Sequence, residues 1–146
     1  FKMKIEFLPG IWICDSNKLD NNFISEKAIT NIINIDKNLD FLGKSQQYND
    51  TIKENIEKYE ILKMVNYLKD ITLFMKNNTL KSENILIYSD SGLQKGPVLL
   101  MAYLIRYGFL SKDIAIDIIR TKIIDAFKPN FEYERAIDLF IKQLAK

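Results

Sequence analysis

Apolar residues fall along this chain in two patterns, short unbroken runs and longer stripes at helical spacing. Ile85-Leu-Ile-Tyr88 is an unbroken run and predicts a strand buried on both faces. Ala28 to Ile35 is rich in β-branched residues and predicts another strand. Phe7 to Cys14 predicts a first one, entered through a Pro-Gly turn. Val98 to Tyr107 is apolar on nearly every side, which predicts a helix central to the core with Pro97 as its first residue. Ile61, Met64, Val65, Leu68, Ile71, Thr72 and Met75 recur at helical spacing, so an amphipathic helix is expected over Tyr59–Met75, broken by Asn77, Asn78 and Thr79. Ser111 is placed to cap a further helix, with Asp113 in its first turn and Ile114, Ala115, Ile118 and Ile119 as its apolar face. The last helix carries Tyr133, Ala136, Ile137, Phe140, Ile141 and Leu144 as a buried stripe, with Asn130 as its expected cap. Asn17 to Lys27 reads as a short polar helix, and Asp36 to Lys58 as loop marked by Gly43, Ser45, Gln46, Gln47 and Asn49. No repeat or linker interrupts residues 1–146, which read as a single domain.

Composition narrows the chemistry by what is missing. The chain has no histidine, which removes the commonest general base and the commonest transition-metal ligand together. Its one cysteine, Cys14, excludes an internal disulfide and a cysteine-based zinc site, and reads as a buried structural thiol. A net charge of +2, with no block of like charge, points away from nucleic acid and membrane surfaces. No apolar run approaches a bilayer span. The lack of disulfides fits a reducing, intracellular and cytoplasmic setting. The chain opens on Phe1 rather than Met, as an excised or processed domain would.

The chemistry-bearing stretch is Ser89-Asp90-Ser91-Gly92-Leu93-Gln94-Lys95, between the unbroken strand and the apolar helix. Strand, short Gly-containing loop and helix N-terminus make an anion site, because backbone N–H groups converge there and the helix dipole favours negative charge. A plain strand-to-helix turn has the same pattern, so geometry alone leaves both readings open.

These residues resemble the phosphate-binding loop of the cysteine-dependent protein phosphatases, dual-specificity branch. That pattern is a buried strand, then His-Cys-x-x-Gly-x-x-Arg-Ser and a helix reading Ala-Tyr-Leu-Met. Tyr88 stands where the family has His, Ser89 where it has the nucleophilic Cys, and Gly92 where it has Gly. Lys95 stands for the Arg and Gly96 for the following Ser or Thr, while Ala102-Tyr103-Leu104-Ile105 completes the match. The Phe7–Cys14 and Ala28–Ile35 strands and the turn at Pro129 also resemble their family counterparts. The resemblance implies an α/β fold with a central, mostly parallel twisted sheet flanked by helices. It also implies a phosphate-binding loop at Ser89–Lys95, with degenerate catalytic positions at Ser89 and Lys95.

A serine hydroxyl is a weak nucleophile without an adjacent base, and only Lys95 could serve as one. A lysine ammonium cannot copy the bidentate grip of arginine on phosphate. Gly96 lacks the hydroxyl that in relatives assists departure of the cysteine. An engineered Cys→Ser replacement would account for Ser89 but not for Tyr88, Lys95 and Gly96. The general acid is unassigned between Asp50, which is followed by Thr as in some relatives, and Glu57, near the ungapped position.

The expectation is a pseudophosphatase domain, without catalytic residues, cofactor or metal, that binds a protein partner or serves as a scaffold. Phosphoproteins are among the candidate partners, weak phosphate or sulfate binding is expected in the loop, and nucleic acid and membranes are not expected partners. The alternative is a low-activity or engineered-inactive protein phosphatase acting on phosphotyrosine, phosphoserine or phosphothreonine.

Overall fold

The sheet is built around β4 (Asn84–Ser89), whose alternate side chains enter two different apolar clusters. The computed structural model describes residues 4–15, 20–38, 50–89 and 93–145. In chain order its elements begin with β1 (Lys4–Leu8), β2 (Ile11–Asp15), α1 (Asn21–Glu26), β3 (Ile29–Asn34) and α2 (Ile35–Asn38). They continue with α3 (Asp50–Leu80), β4, α4 (Lys95–Gly108), α5 (Lys112–Lys122) and α6 (Glu134–Leu144). The sheet order is β1-β2-β4-β3, with β4 parallel to both neighbours and β1 antiparallel at the edge. This is the expected α/β architecture, a mostly parallel sheet with helices on both faces.

One apolar cluster lies beneath α1, where Cys14, Phe23, Ile29 and Leu86 are buried. The larger core on the other face takes Ile11, Ile13, Ile85 and Ile87 from the sheet and packs them against α3 to α6. Residues Gly96 to Leu104 of α4 are all buried, as their unbroken apolar character requires.

Several boundaries differ from expectation. Pro9 and Gly10 do not lead into a single strand but join β1 to β2 as a hairpin. Gly10 has φ +82°, and its carbonyl accepts from Ile85 N at 2.8 Å, which pins the hairpin to β4. Helix α3 is far longer than Tyr59–Met75 and takes in the second part of the expected Asp36–Lys58 loop; residues 39–49 lie outside the described ones. Asn77, Asn78 and Thr79 do not break it. Asn78 Nδ2 donates to Phe74 O and Thr79 Oγ1 to Met75 O, so two of these polar side chains bond within the helix instead of ending it. Helix α4 starts at Lys95, which makes Pro97 its third residue, still within the turn whose N–H groups need no intrahelical partner.

Ser111 caps α5 as expected, its Oγ accepting from Ile114 N at 3.3 Å. The buried face of α5 is Ala115 and Ile119, whereas Ile114 and Ile118 are exposed. Asn130 does not cap α6; the N-cap is Tyr133, without a side-chain bond. Of the expected α6 stripe, Ala136, Ile137 and Phe140 are buried and Tyr133 and Ile141 partly so, whereas Leu144, at the end of the helix, is exposed.

Candidate functional site

Parallel strands β2, β3 and β4 all end at the edge where α4 begins, so their last residues assemble the site. Ser89, the last residue of β4, is 1% exposed and pairs in register with Asp15, the last residue of β2. Asp15 is 4% exposed, and its Oδ1 accepts no hydrogen bond. Asp36 lies just past β3, in the first turn of α2. Lys95 is the first residue of α4, and its Nζ is 2.8 Å from Asp36 Oδ1, with both side chains about a quarter exposed. The cation at the arginine position is therefore held by a carboxylate of the chain itself. Asp90, Ser91 and Gly92 of the expected loop lie outside the described residues.

Tyr88 and Ser89 are consecutive strand residues and so face opposite sides of the sheet. Tyr88 packs beside the Cys14–Leu86 cluster, and its hydroxyl accepts from Asn34 Nδ2 at 2.7 Å. The residue at the histidine position is thus tied to β3 rather than to the nucleophile position. Gly96 has a steric reason to lack a side chain. A Cβ there would stand 2.7 Å from Ile13 Cδ1, inside the contact distance of two carbon atoms.

Leu93 and Gln94, read as loop residues, prove to be anchors. Leu93 O accepts from Phe127 N at 2.7 Å. Gln94 is buried, and its Nε2 donates to Lys128 O at 3.2 Å and Asn130 O at 2.9 Å. Its Oε1 accepts from Glu132 N at 3.2 Å. The side chain thus points to the turn before α6 and fixes the start of α4 against it.

Of the two general-acid candidates, only the side chain of Glu57 lies among the described ones. Glu57 is exposed beside Arg135 of α6, with Oε2 and Nη1 3.8 Å apart, and Asp50 opens α3. Cys14 is fully buried, and its thiol is pushed up to about 11, first by burial and then by the neighbouring Asp15 charge. That environment suppresses the thiolate and fits the structural reading of this cysteine. Among the described residues no group of three or more His, Cys, Asp or Glu could hold a metal ion, and no helix is long and apolar enough to cross a membrane.

Sequence reasoning missed Asp15 and Asp36, and it placed Gln94 in the loop without its anchoring role. Only Asp15 left a signal, as a charged residue directly after the buried strand Ile11–Cys14.

Comparison with solved structures bears out the architecture. Human DUSP28 is similar over 98% of this chain and 98% of that one, with a TM-score of 0.70 and 14% identity. A leucine rich repeat and phosphatase domain containing protein from Entamoeba histolytica matches over 97% of this chain and 92% of its own, with TM-score 0.72 and 16% identity. Human tyrosine phosphatase-like serine/threonine/tyrosine-interacting protein matches over 98% of both chains, with TM-score 0.68 and 13% identity. At such identities the likeness is one of fold. No curated protein sequence matches the chain significantly. The family model for the dual specificity phosphatase catalytic domain matches residues 11–143, nearly the whole chain, and the chain belongs to that family.

Proposed function

We propose that this domain is a catalytically silent member of its family and acts as a protein-binding module. The observation that carries the reading is the Lys95–Asp36 ion pair beside Ser89. Phosphoryl transfer needs an activated nucleophile and fixed positive charge aimed at the phosphate oxygens. Ser89 offers a hydroxyl in a chain without histidine, and the ammonium of Lys95 is already matched by a carboxylate. Asp15 adds a second carboxyl group at the end of the adjacent strand. Among the described residues, two carboxyl groups against one ammonium make a poor seat for a phosphate, so partner recognition in this reading does not run through a phosphate.

The test is turnover of para-nitrophenyl phosphate and of a phosphotyrosine peptide, with titration of inorganic phosphate followed by amide resonances. No turnover above the Ser89→Ala background and no saturable phosphate binding are expected. Hydrolysis that disappears in Ser89→Ala would establish a low-activity phosphatase and overturn the reading.

A further inference from the structure

Helices α3 and α6 do not close completely against one another, and a cleft of about 300 Å³ lies between them. Its floor is apolar, formed by Ile61, Met64 and Ala136, of which the last two belong to the buried core. Among the described residues its walls carry three carboxylates, Glu57, Glu60 and Glu132, against one cation, Arg135. Arg135 does little to balance them. It stands 3.8 Å from Glu57 at the exposed rim, where an ion pair is worth little.

Glu60 is the informative residue. Its Oε1 is shielded from solvent and accepts no hydrogen bond. A buried acceptor without a partner costs free energy, and such atoms are few in native proteins. Tyr133, also lining the cleft, reports the local field: its hydroxyl is pushed up to about 12 by burial, then by Glu132, Asp36 and Glu60. An apolar floor beneath a negative wall complements a side chain with an aliphatic stem and a cationic head. Arginine suits it better than lysine, because a planar guanidinium presents several donors and can bond two carboxylates at once.

We propose that this cleft docks an arginine side chain of a partner protein, its stem over Ile61, Met64 and Ala136 and its guanidinium against Glu60 and Glu132. No described residue lining the cleft belongs to the Ser89–Lys95 loop, and the inference holds whether or not Ser89 takes part in chemistry.

The test is a titration of the isotope-labelled domain with acetyl-arginine-methylamide, using acetyl-norleucine-methylamide and acetyl-glutamate-methylamide as controls. Saturable shifts are expected at the amides of Glu60 to Met64 and Glu132 to Ala136 with the arginine probe alone, weakening as salt is added. Glu60→Gln, which keeps shape and removes charge, should weaken binding at least fivefold while the melting temperature stays within a few degrees. Glu132→Gln should weaken it severalfold and serves as the independent variant. Absence of saturable shifts, equal binding of the norleucine probe, or unchanged affinity in both variants would overturn the proposal. These readouts do not involve Ser89, so their failure leaves the reading of the loop standing, and turnover at the loop leaves this site standing.

Discussion

Replacing Gly96 by alanine should destabilise the domain, and shortening Ile13 should undo the damage. The added Cβ would meet Ile13 Cδ1 at 2.7 Å and Cγ1 at 3.5 Å. Carbon atoms rest about 3.5–4.0 Å apart, so roughly an ångström must be found. Ile13 is 1% exposed and hemmed in by the large core, so it yields only by leaving its rotamer or by pushing α4 off the sheet. Overpacking of this kind costs about 1–3 kcal/mol. Alanine returns part of that through helix propensity, up to about 1 kcal/mol in a helix interior and less in a first turn. A net loss of about 1–2 kcal/mol is expected for Gly96→Ala. Gly96→Ser should lose more, since it adds a buried hydroxyl to the same clash.

Ile13→Val removes the offending Cδ1 and on its own should cost about 0.5–1.5 kcal/mol. In the double variant the new methyl fills the space that Cδ1 leaves, and its nearest neighbour becomes the atom at 3.5 Å, an ordinary contact. The double variant should therefore lose less than the two single losses added, by about 1–2 kcal/mol. Urea unfolding of the four proteins measures this, provided the slope stays constant. Losses that add to within about 0.5 kcal/mol would show that the Ile13 contact is not what keeps this position a glycine. A Gly96→Ala protein as stable as the parent would refute the reasoning outright.

Four shorter tests follow from the same geometry. Cys14, with its thiol near 11 against an ordinary 9.0, should react with a disulfide reagent at pH 8 at least about a hundredfold more slowly than in urea, from the thiolate fraction alone. The same raised value means that stability is unaffected below pH 9 and falls between pH 9 and 11, because the unfolded chain releases this proton first; Cys14→Ala should flatten that part of a melting profile. Gln94→Leu should cost about 2–4 kcal/mol, measured by urea unfolding, because Lys128 O, Asn130 O and Glu132 N all lose their partner. Asp36→Asn removes the carboxylate 2.8 Å from Lys95 and should make saturable binding of inorganic phosphate detectable by amide titration; no binding would mean that this ion pair is not what keeps the loop from anions.

The parts of this molecule legible in the sequence are those whose signal is local. The run Ile85–Tyr88 and the all-round apolar helix behind it could only be a buried strand and a core helix, and β4 and α4 are where that pattern put them. The end of α3 is not legible, because Asn78 and Thr79, helix breakers by composition, spend their side chains on their own helix. Strand β1 has a local signal in the alternation of Lys4-Ile-Glu-Phe-Leu8, but Pro9 and Gly10 suit an entry to one strand as well as the hinge between two that the structure shows. At the site, Ser89 and Lys95 could be located from the spacing of the loop. Their surroundings could not. Asp36 reaches Lys95 across 59 residues of chain, and Gln94 reaches its partners across 34 to 38. The order of strands brings Asp36 to Lys95, and the packing of α6 against α4 brings the partners of Gln94.

Stability and chemistry at the start of α4 are carried by different atoms. The helix is held by its apolar surface, by Gln94 at one end and by Arg106 at the other, which donates to Lys69 O at 2.7 Å and Thr72 Oγ1 at 3.0 Å. None of these contacts requires a cysteine, an arginine or a surplus of positive charge at the loop. An active phosphate cradle requires that surplus, and it must hold like-signed groups ready for a ligand that is absent most of the time. Here the strand ends beside β4 deliver Asp15 and Asp36, and the second of these neutralises Lys95. The packing that holds α4 in place is therefore independent of the charges at its N-terminus. Among the described residues the helical side also leaves buried acceptors without a hydrogen bond, Glu60 Oε1 on α3 and Gln143 Oε1 on α6, so incomplete polar groups are not confined to the strand ends beside β4.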